Sequence, residues 1–166
     1  MRKLTTTLCL ISAVLHESAE IMKILLRSTL ILASLVVPKI VSAGNIQIEF
    51  TENDSYSIEI ARIEVGDTIK WLPKNEGHNV EFLAGPKINS LPTKSGIDKF
   101  HSVVFKVPGV YLYGCTPHRN MGMLGLIIVG NDFHNLEKIK NIQLSHVATS
   151  VLKRLIRIAQ SHSKSS

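Results

Sequence analysis

The segment Tyr113-Gly-Cys-Thr-Pro-His-Arg-Asn-Met-Gly-Met123 carries a thiol, an imidazole and a thioether within nine residues: Cys115, His118 and Met123, spaced Cys-x2-His-x4-Met. Upstream, Gly77-His78-Asn79-Val80 offers a second imidazole in a turn. One thiolate, two imidazoles and one thioether are the donor set of a blue-copper electron-transfer site. Cu(I) favours soft donors in low coordination, and Cu(II) favours nitrogen donors in tetragonal geometry. A trigonal His2Cys plane with a weak axial Met is a compromise that both states accept, so little has to move when an electron passes. The neighbours have supporting chemistry. Asn79 can bridge the two ligand loops by hydrogen bonds, and Thr116 can do the same from the other side. Pro117 has no N–H to offer the sulfur.

Taken singly, each donor is ordinary. A buried Cys or Met is usually core, and a His in a Gly-flanked turn is usually solvated. Their joint occurrence, with the only other cysteine at Cys9, gives the set its weight. Met121 reads as an apolar residue beside the site, and His101, His134, His146 and His162 as structural or solvated. A thiol enzyme with Cys115 as nucleophile and His118 as base is a competing use of the loop. It lacks an oxyanion hole and an orienting group, and it leaves Met123 idle.

Short strands punctuated by turns must position these residues. Ile46, Ile48 and Phe50 alternate, as do Tyr56, Ile58 and Ile60. Thr68 to Leu72 follows the Gly66-Asp67 turn. His101 to Val107 alternates, Pro108-Gly109 turns, and Val110 to Tyr113 returns. Leu124 to Val129 is a continuous apolar run. This pattern predicts an antiparallel sandwich or barrel. The run Gly85 to Gly96, rich in Pro and Gly, predicts a long surface loop. After Gly130 the period changes. A short helix is expected over Asn135 to Ile142, and a longer one capped by Ser145 and running to about Gln160. Its stripe is Val147, Val151, Leu155 and Ile158, widened by Leu152 and Ile156. Lys153, Arg154 and Arg157 lie off the centre of that stripe, and packing on the sandwich is favoured over a membrane-surface role.

The chain has 166 residues, 19 Lys+Arg against 13 Asp+Glu, 45% hydrophobic residues and a sequence pI near 9.4. That excludes a disordered polyelectrolyte and a disulfide-stapled miniprotein. No uncharged apolar run reaches the roughly 18 residues of a membrane span. Residues 1–43 read as an export signal. Lys23 and Arg27 form a basic start, Ser28 to Val37 a short apolar stretch, and Val41-Ser42-Ala43 a cleavage site. Met22 is the expected true start, with 1–21 an upstream extension. Residues 44–166 then form a single domain with a net charge of +3, against +6 for the whole chain. The basic balance no longer suggests nucleic acid. Cys115 is left without an intramolecular disulfide partner.

Gly77-His78-Asn79-Val80, Cys115-Thr116-Pro117-His118 and Met121-Gly122-Met123 resemble the pseudoazurin family of type 1 copper proteins. The resemblance runs from about Val65 to Gln160 and includes the Gly66-Asp67-Thr68 turn and the Asn135-Leu136 start of the C-terminal helices. Those helices separate the family from plastocyanin, which shares the ligand spacing. The resemblance implies a mainly β, Greek-key, cupredoxin-like sandwich of about eight strands with two C-terminal helices. It also implies one copper held by His78, Cys115, His118 and Met123, with His118 as the partly exposed electron port. The expected function is a monomeric periplasmic shuttle that is not an enzyme. It would meet redox proteins transiently, with a nitrite reductase or a c-type cytochrome as candidates. No stable membrane insertion is expected after signal cleavage. A copper-delivery protein using the same ligands is the alternative. Docking is expected on Pro117, Met121 and the His118 edge, rimmed by Lys74, Lys87, Lys94 and Arg119. The chain departs from the family pattern before Gly66, where it is shorter and has no methionine. It also carries Glu76 and Gly114 where the family often has lysine.

Overall fold

The computed structural model describes Met22–Lys23 and residues 43–161 apart from 88 and 90. The expected signal segment therefore lies almost wholly outside the described residues. Chain contacts separate Met1–Val41 from Ser42–Ser166, and only the second unit is described below.

Among the described residues, seven strands form two sheets. The first sheet has the order β1-β3-β5, from β1 (Asn45–Glu49), β3 (Thr68–Leu72) and β5 (His101–Val104). The second has the order β2-β7-β6-β4, from β2 (Ile60–Ile63), β7 (Leu124–Val129), β6 (Gly109–Gly114) and β4 (Glu81–Ala84). The chain moves from the first sheet to the second at β2 and returns at β3. In consequence β1 pairs β3 in parallel and β2 pairs β7 in parallel. The sandwich is thus mixed, where alternation alone suggested antiparallel pairing throughout.

The strands β6 and β7 are buried at every position. Both faces of this sheet are covered, which explains the unbroken apolar run at 124–129. Tyr111, Tyr113, Ile127 and Val129 face Ile48, Ile69 and Trp71 across the sandwich. Val110, Leu112, Leu126 and Ile128 face the helices α1 (Leu136–Lys140) and α2 (His146–Ser161). The buried Asn135 side chain ties α1 to β6. Its Oδ1 accepts from the Val110 N–H at 2.8 Å, and its Nδ2 donates to the Val110 carbonyl at 2.7 Å. Arg154 grips Glu59 with two bonds of 2.7 and 2.9 Å, fixing α2 beside β2.

Two expectations shift. The alternation Tyr56-Ile58-Ile60 is not a strand. The Thr51–Ser55 turn and a single bridge between Phe50 and Tyr56 occupy this stretch, and β2 starts only at Ile60. Tyr56 is buried there because its hydroxyl donates to the Asn79 carbonyl at 2.9 Å. The buried face of α2 is Ala148, Leu152, Leu155, Ile156 and Ala159. Val147 is 51% exposed and Ile158 lies outside the core, because two alanines let the helix approach the sheet with its face rotated. Ser145 caps α2 as expected, accepting from the Ala148 N–H at 3.1 Å. Among the described residues no helix is long and apolar enough to cross a membrane.

Candidate metal centre

The loop after β6 is bent by its own backbone. The Cys115 carbonyl accepts from the N–H groups of His118 and Arg119 at 3.1 and 2.7 Å. A short turn of 3-10 helix, Arg119–Met121, ends at Gly122 with φ of 105°. Gly122 is needed twice over: for that left-handed conformation, and because a Cβ there would meet the Val151 side chain of α2 at 2.8 Å. The chain then returns so that the Met123 carbonyl accepts from the Cys115 N–H at 3.1 Å. Cys115, just past the end of β6, and Met123, just before β7, thus sit side by side, both buried.

His78 arrives from the β3–β4 connection and is 3% exposed. Its N–H donates to Asp98 Oδ1 at 3.1 Å, and the Asp98 N–H returns a bond to the His78 carbonyl at 2.8 Å. Backbone N–H groups of Gly77 and His78 hold the Asp98 carboxyl below its usual range. Phe50 stands edge-on to the His78 ring at 5.8 Å.

The donor atoms converge. Cys115 Sγ lies 3.8 Å from His78 Nδ1 and 3.5 Å from His118 Nδ1, and the two nitrogens are 3.1 Å apart. The point equidistant from all three atoms lies about 2 Å from each, close to the lengths of metal–nitrogen and metal–thiolate bonds. These three residues form the one cluster of metal-ligand type among the described residues. A soft thiolate with two imidazoles fits copper. Burial pushes the Cys115 thiol up, while N–H groups of Asn79 and His118 favour the thiolate. A coordinated metal deprotonates such a thiol outright. Burial, and then the neighbouring His118, push His78 down, which keeps the imidazole neutral and able to bind a metal.

Sequence reasoning found the loop bridge but not its depth. Asn79 Oδ1 accepts from the Thr116 N–H at 2.7 Å, and its Nδ2 donates to Thr116 Oγ1 at 3.0 Å. Thr116 Oγ1 also donates to Glu81 at 2.8 Å. Pro117 and Met121 are exposed, with Met121 at 60%, and the His118 side chain is 22% exposed. Lys74 and Lys87 are exposed, as is Lys94. Lys94 and Arg119 share one oxygen of Glu81, at 3.9 and 3.1 Å. Two residues at the site were not anticipated, Asp54 and Asp98. Each reaches the histidines across a long stretch of chain, and no local motif marks either.

Residues 43–130 match the copper binding proteins of the plastocyanin/azurin family. The chain belongs to that family. Among its relatives, the pseudoazurin of Methylorubrum extorquens is 39% identical over 85 residues, which are 51% of this chain and 57% of that protein. The pseudoazurin of Paracoccus pantotrophus is 36% identical over 84 residues, 50% of this chain and 58% of that one. The chain therefore spans under two thirds of the length of these two relatives. The crystal structure of pseudoazurin from Methylobacterium extorquens AM1 superposes with a TM-score of 0.62 at 28% identity, covering 71% of this chain and 98% of that one. The pseudoazurin from Hyphomicrobium denitrificans gives 0.63 at 27% identity, with 69% and 97% covered. The sandwich with its two C-terminal helices thus superposes on these pseudoazurins over nearly their whole length.

Proposed function

We propose that the protein is a one-electron carrier that holds a single copper ion on His78, Cys115, His118 and Met123, and that it is not an enzyme. The observation that carries this reading is the convergence of Cys115 Sγ and two imidazole nitrogens within 3.8 Å of one another in a buried pocket. Copper, when bound, supplies the one-electron couple. The chain supplies everything else. Cys115 and His78 come from loops locked to the sandwich by Asn79, Thr116 and Asp98, so the donors stay in place in both oxidation states. Burial excludes water from the thiolate. His118 alone offers an edge to solvent, and Pro117 and Met121 beside it form an apolar contact patch suited to brief encounters.

Full burial of Cys115 and near-full burial of His78 favour a carrier over a delivery protein, which must open its site to release metal. Residues 1–43 act as an export signal cleaved after Ala43, leaving the domain 44–166 in the periplasm as a monomer. A nitrite reductase or a c-type cytochrome is the proposed class of partner. Reversible one-electron cycling of the copper-loaded protein at an electrode tests the carrier role, and rapid loss of copper to a chelator counts against it. N-terminal sequencing of the exported protein should begin at Gly44, and an intact 1–43 segment contradicts the export reading.

A further inference from the structure

We propose that Asp54 is a specificity-determining residue of this site: its carboxylate sets the sign of the charge that a partner meets at the His118 edge, and it selects a redox protein whose own port is ringed by Lys or Arg. This rests on the carrier reading above.

Asp54 Oδ1 lies 3.6 Å from His118 Nδ1 and 3.7 Å from His78 Nε2, and its side chain is 50% exposed. It is thus a half-exposed charge set against both histidine rings. Its place is fixed by the backbone. Asp54 has φ of 49° in a turn closed by the Thr51 N–H donating to the Ser55 carbonyl at 2.9 Å and by a 2.6 Å bond between the two side-chain hydroxyls.

The charges around it do not cancel it. Among the described residues no Lys or Arg forms an ion pair with Asp54. Lys94 and Arg119, the basic residues of the same rim, are both drawn to Glu81, which also accepts from Thr116. Asp98 is engaged by backbone N–H groups and lies near Lys99. Glu81 offsets one of the two basic charges of Lys94 and Arg119, and Asp54 is the charged group that stands directly against His118. The domain carries a net positive charge, so a partner guided by net charge alone would be anionic. The charge in contact with His118 has the opposite sign, and it weighs most over the last ångströms, because Coulomb energy falls with distance and salt screens it beyond about 10 Å.

Two oxidants of opposite charge provide the test. The Cu(I) protein gives one electron either to tris(phenanthroline)cobalt(III), a cation reduced to cobalt(II), or to hexacyanoferrate(III), an anion reduced to hexacyanoferrate(II). The ratio of the two rate constants is the readout, since a change in potential alone moves both rates the same way. Asp54→Asn should lower the cation-to-anion ratio by about tenfold at low salt, and Asp54→Glu should restore it. A ratio unchanged in Asp54→Asn overturns the proposal, as does an equal change in both rates. A second measurement does not depend on electron transfer. The redox-inert tris(ethylenediamine)chromium(III) cation should broaden amide signals at Asp54, His118 and Met121 in the wild type and not in Asp54→Asn. Broadening that is identical in both proteins, or that lies elsewhere, contradicts it. Absence of a blue band in wild type and variant alike would sink the carrier reading, while the broadening still decides the role of Asp54.

Discussion

Asn79 and Thr116 hold each other from both directions: the Thr116 N–H donates to Asn79 Oδ1 at 2.7 Å, and Asn79 Nδ2 donates to Thr116 Oγ1 at 3.0 Å. One residue follows the first histidine donor and the other follows the cysteine. The pair therefore fixes the separation of two donors that lie 37 positions apart in the chain.

Removing that clasp should be costly. Asn79→Ala leaves the Thr116 N–H without its partner in a closed site, at a cost of about 1–3 kcal/mol. In a double-mutant cycle with Thr116→Val, the two changes should be non-additive by roughly 0.5–3 kcal/mol. Denaturant unfolding of the four proteins measures this, and additive effects would show that the bonds do not couple the loops.

Met123→Leu should keep the blue colour, since the thiolate remains, and should raise the reduction potential because a weak donor to Cu(II) is lost. Voltammetry reads the shift. An unchanged potential argues against Met123 as the axial ligand.

Asn135→Ala should destabilise the fold without changing the colour. The Val110 N–H and carbonyl both lose a buried partner, so an effect of about 2–4 kcal/mol is expected. Unchanged stability would mean that α1 is held by its apolar contacts with Leu136 and Ile139 alone.

His101 should make stability depend on pH. Burial pushes its imidazole below the ordinary histidine value, partly offset by a bond to the Thr93 backbone. The unfolded chain then binds a proton at higher pH than the folded one, so stability rises with pH across the window below about 6.5. Stability is accordingly lost as pH falls through that value. Comparing unfolding at pH 7.5 and 5.5 in wild type and His101→Phe isolates this contribution, which the variant should lack. An equal pH dependence in both proteins excludes His101 as its source.

The metal loop was legible because its information is local. Cys115, His118 and Met123 share one bend, and the spacing alone places them together. His78 and the Asn79–Thr116 clasp were legible because Asn79 is adjacent to a donor. Asp54 and Asp98 were not. Asp54 reaches the site through a turn following β1, and Asp98 through the long loop before β5, so only the assembled sandwich brings them to the histidines. The buried helix face departs from its spacing for a packing reason. Val147 and Ile158 look like core by spacing, but Ala148 and Ala159 allow the closest approach to the sheet and win the buried side. Tyr56, Ile58 and Ile60 alternate like a strand, yet the tight turn at Thr51–Ser55 and the bond from Tyr56 to Asn79 leave only a single bridge.

Adding Cu(II) to the metal-free protein and recording its visible spectrum decides whether Cys115 holds copper. A Cys115 thiolate bound to copper in this trigonal site should give an intense blue charge-transfer band at one equivalent of metal, absent from Cys115→Ala. A colourless complex, or colour that survives Cys115→Ala, would rule out copper bound to the Cys115 thiolate.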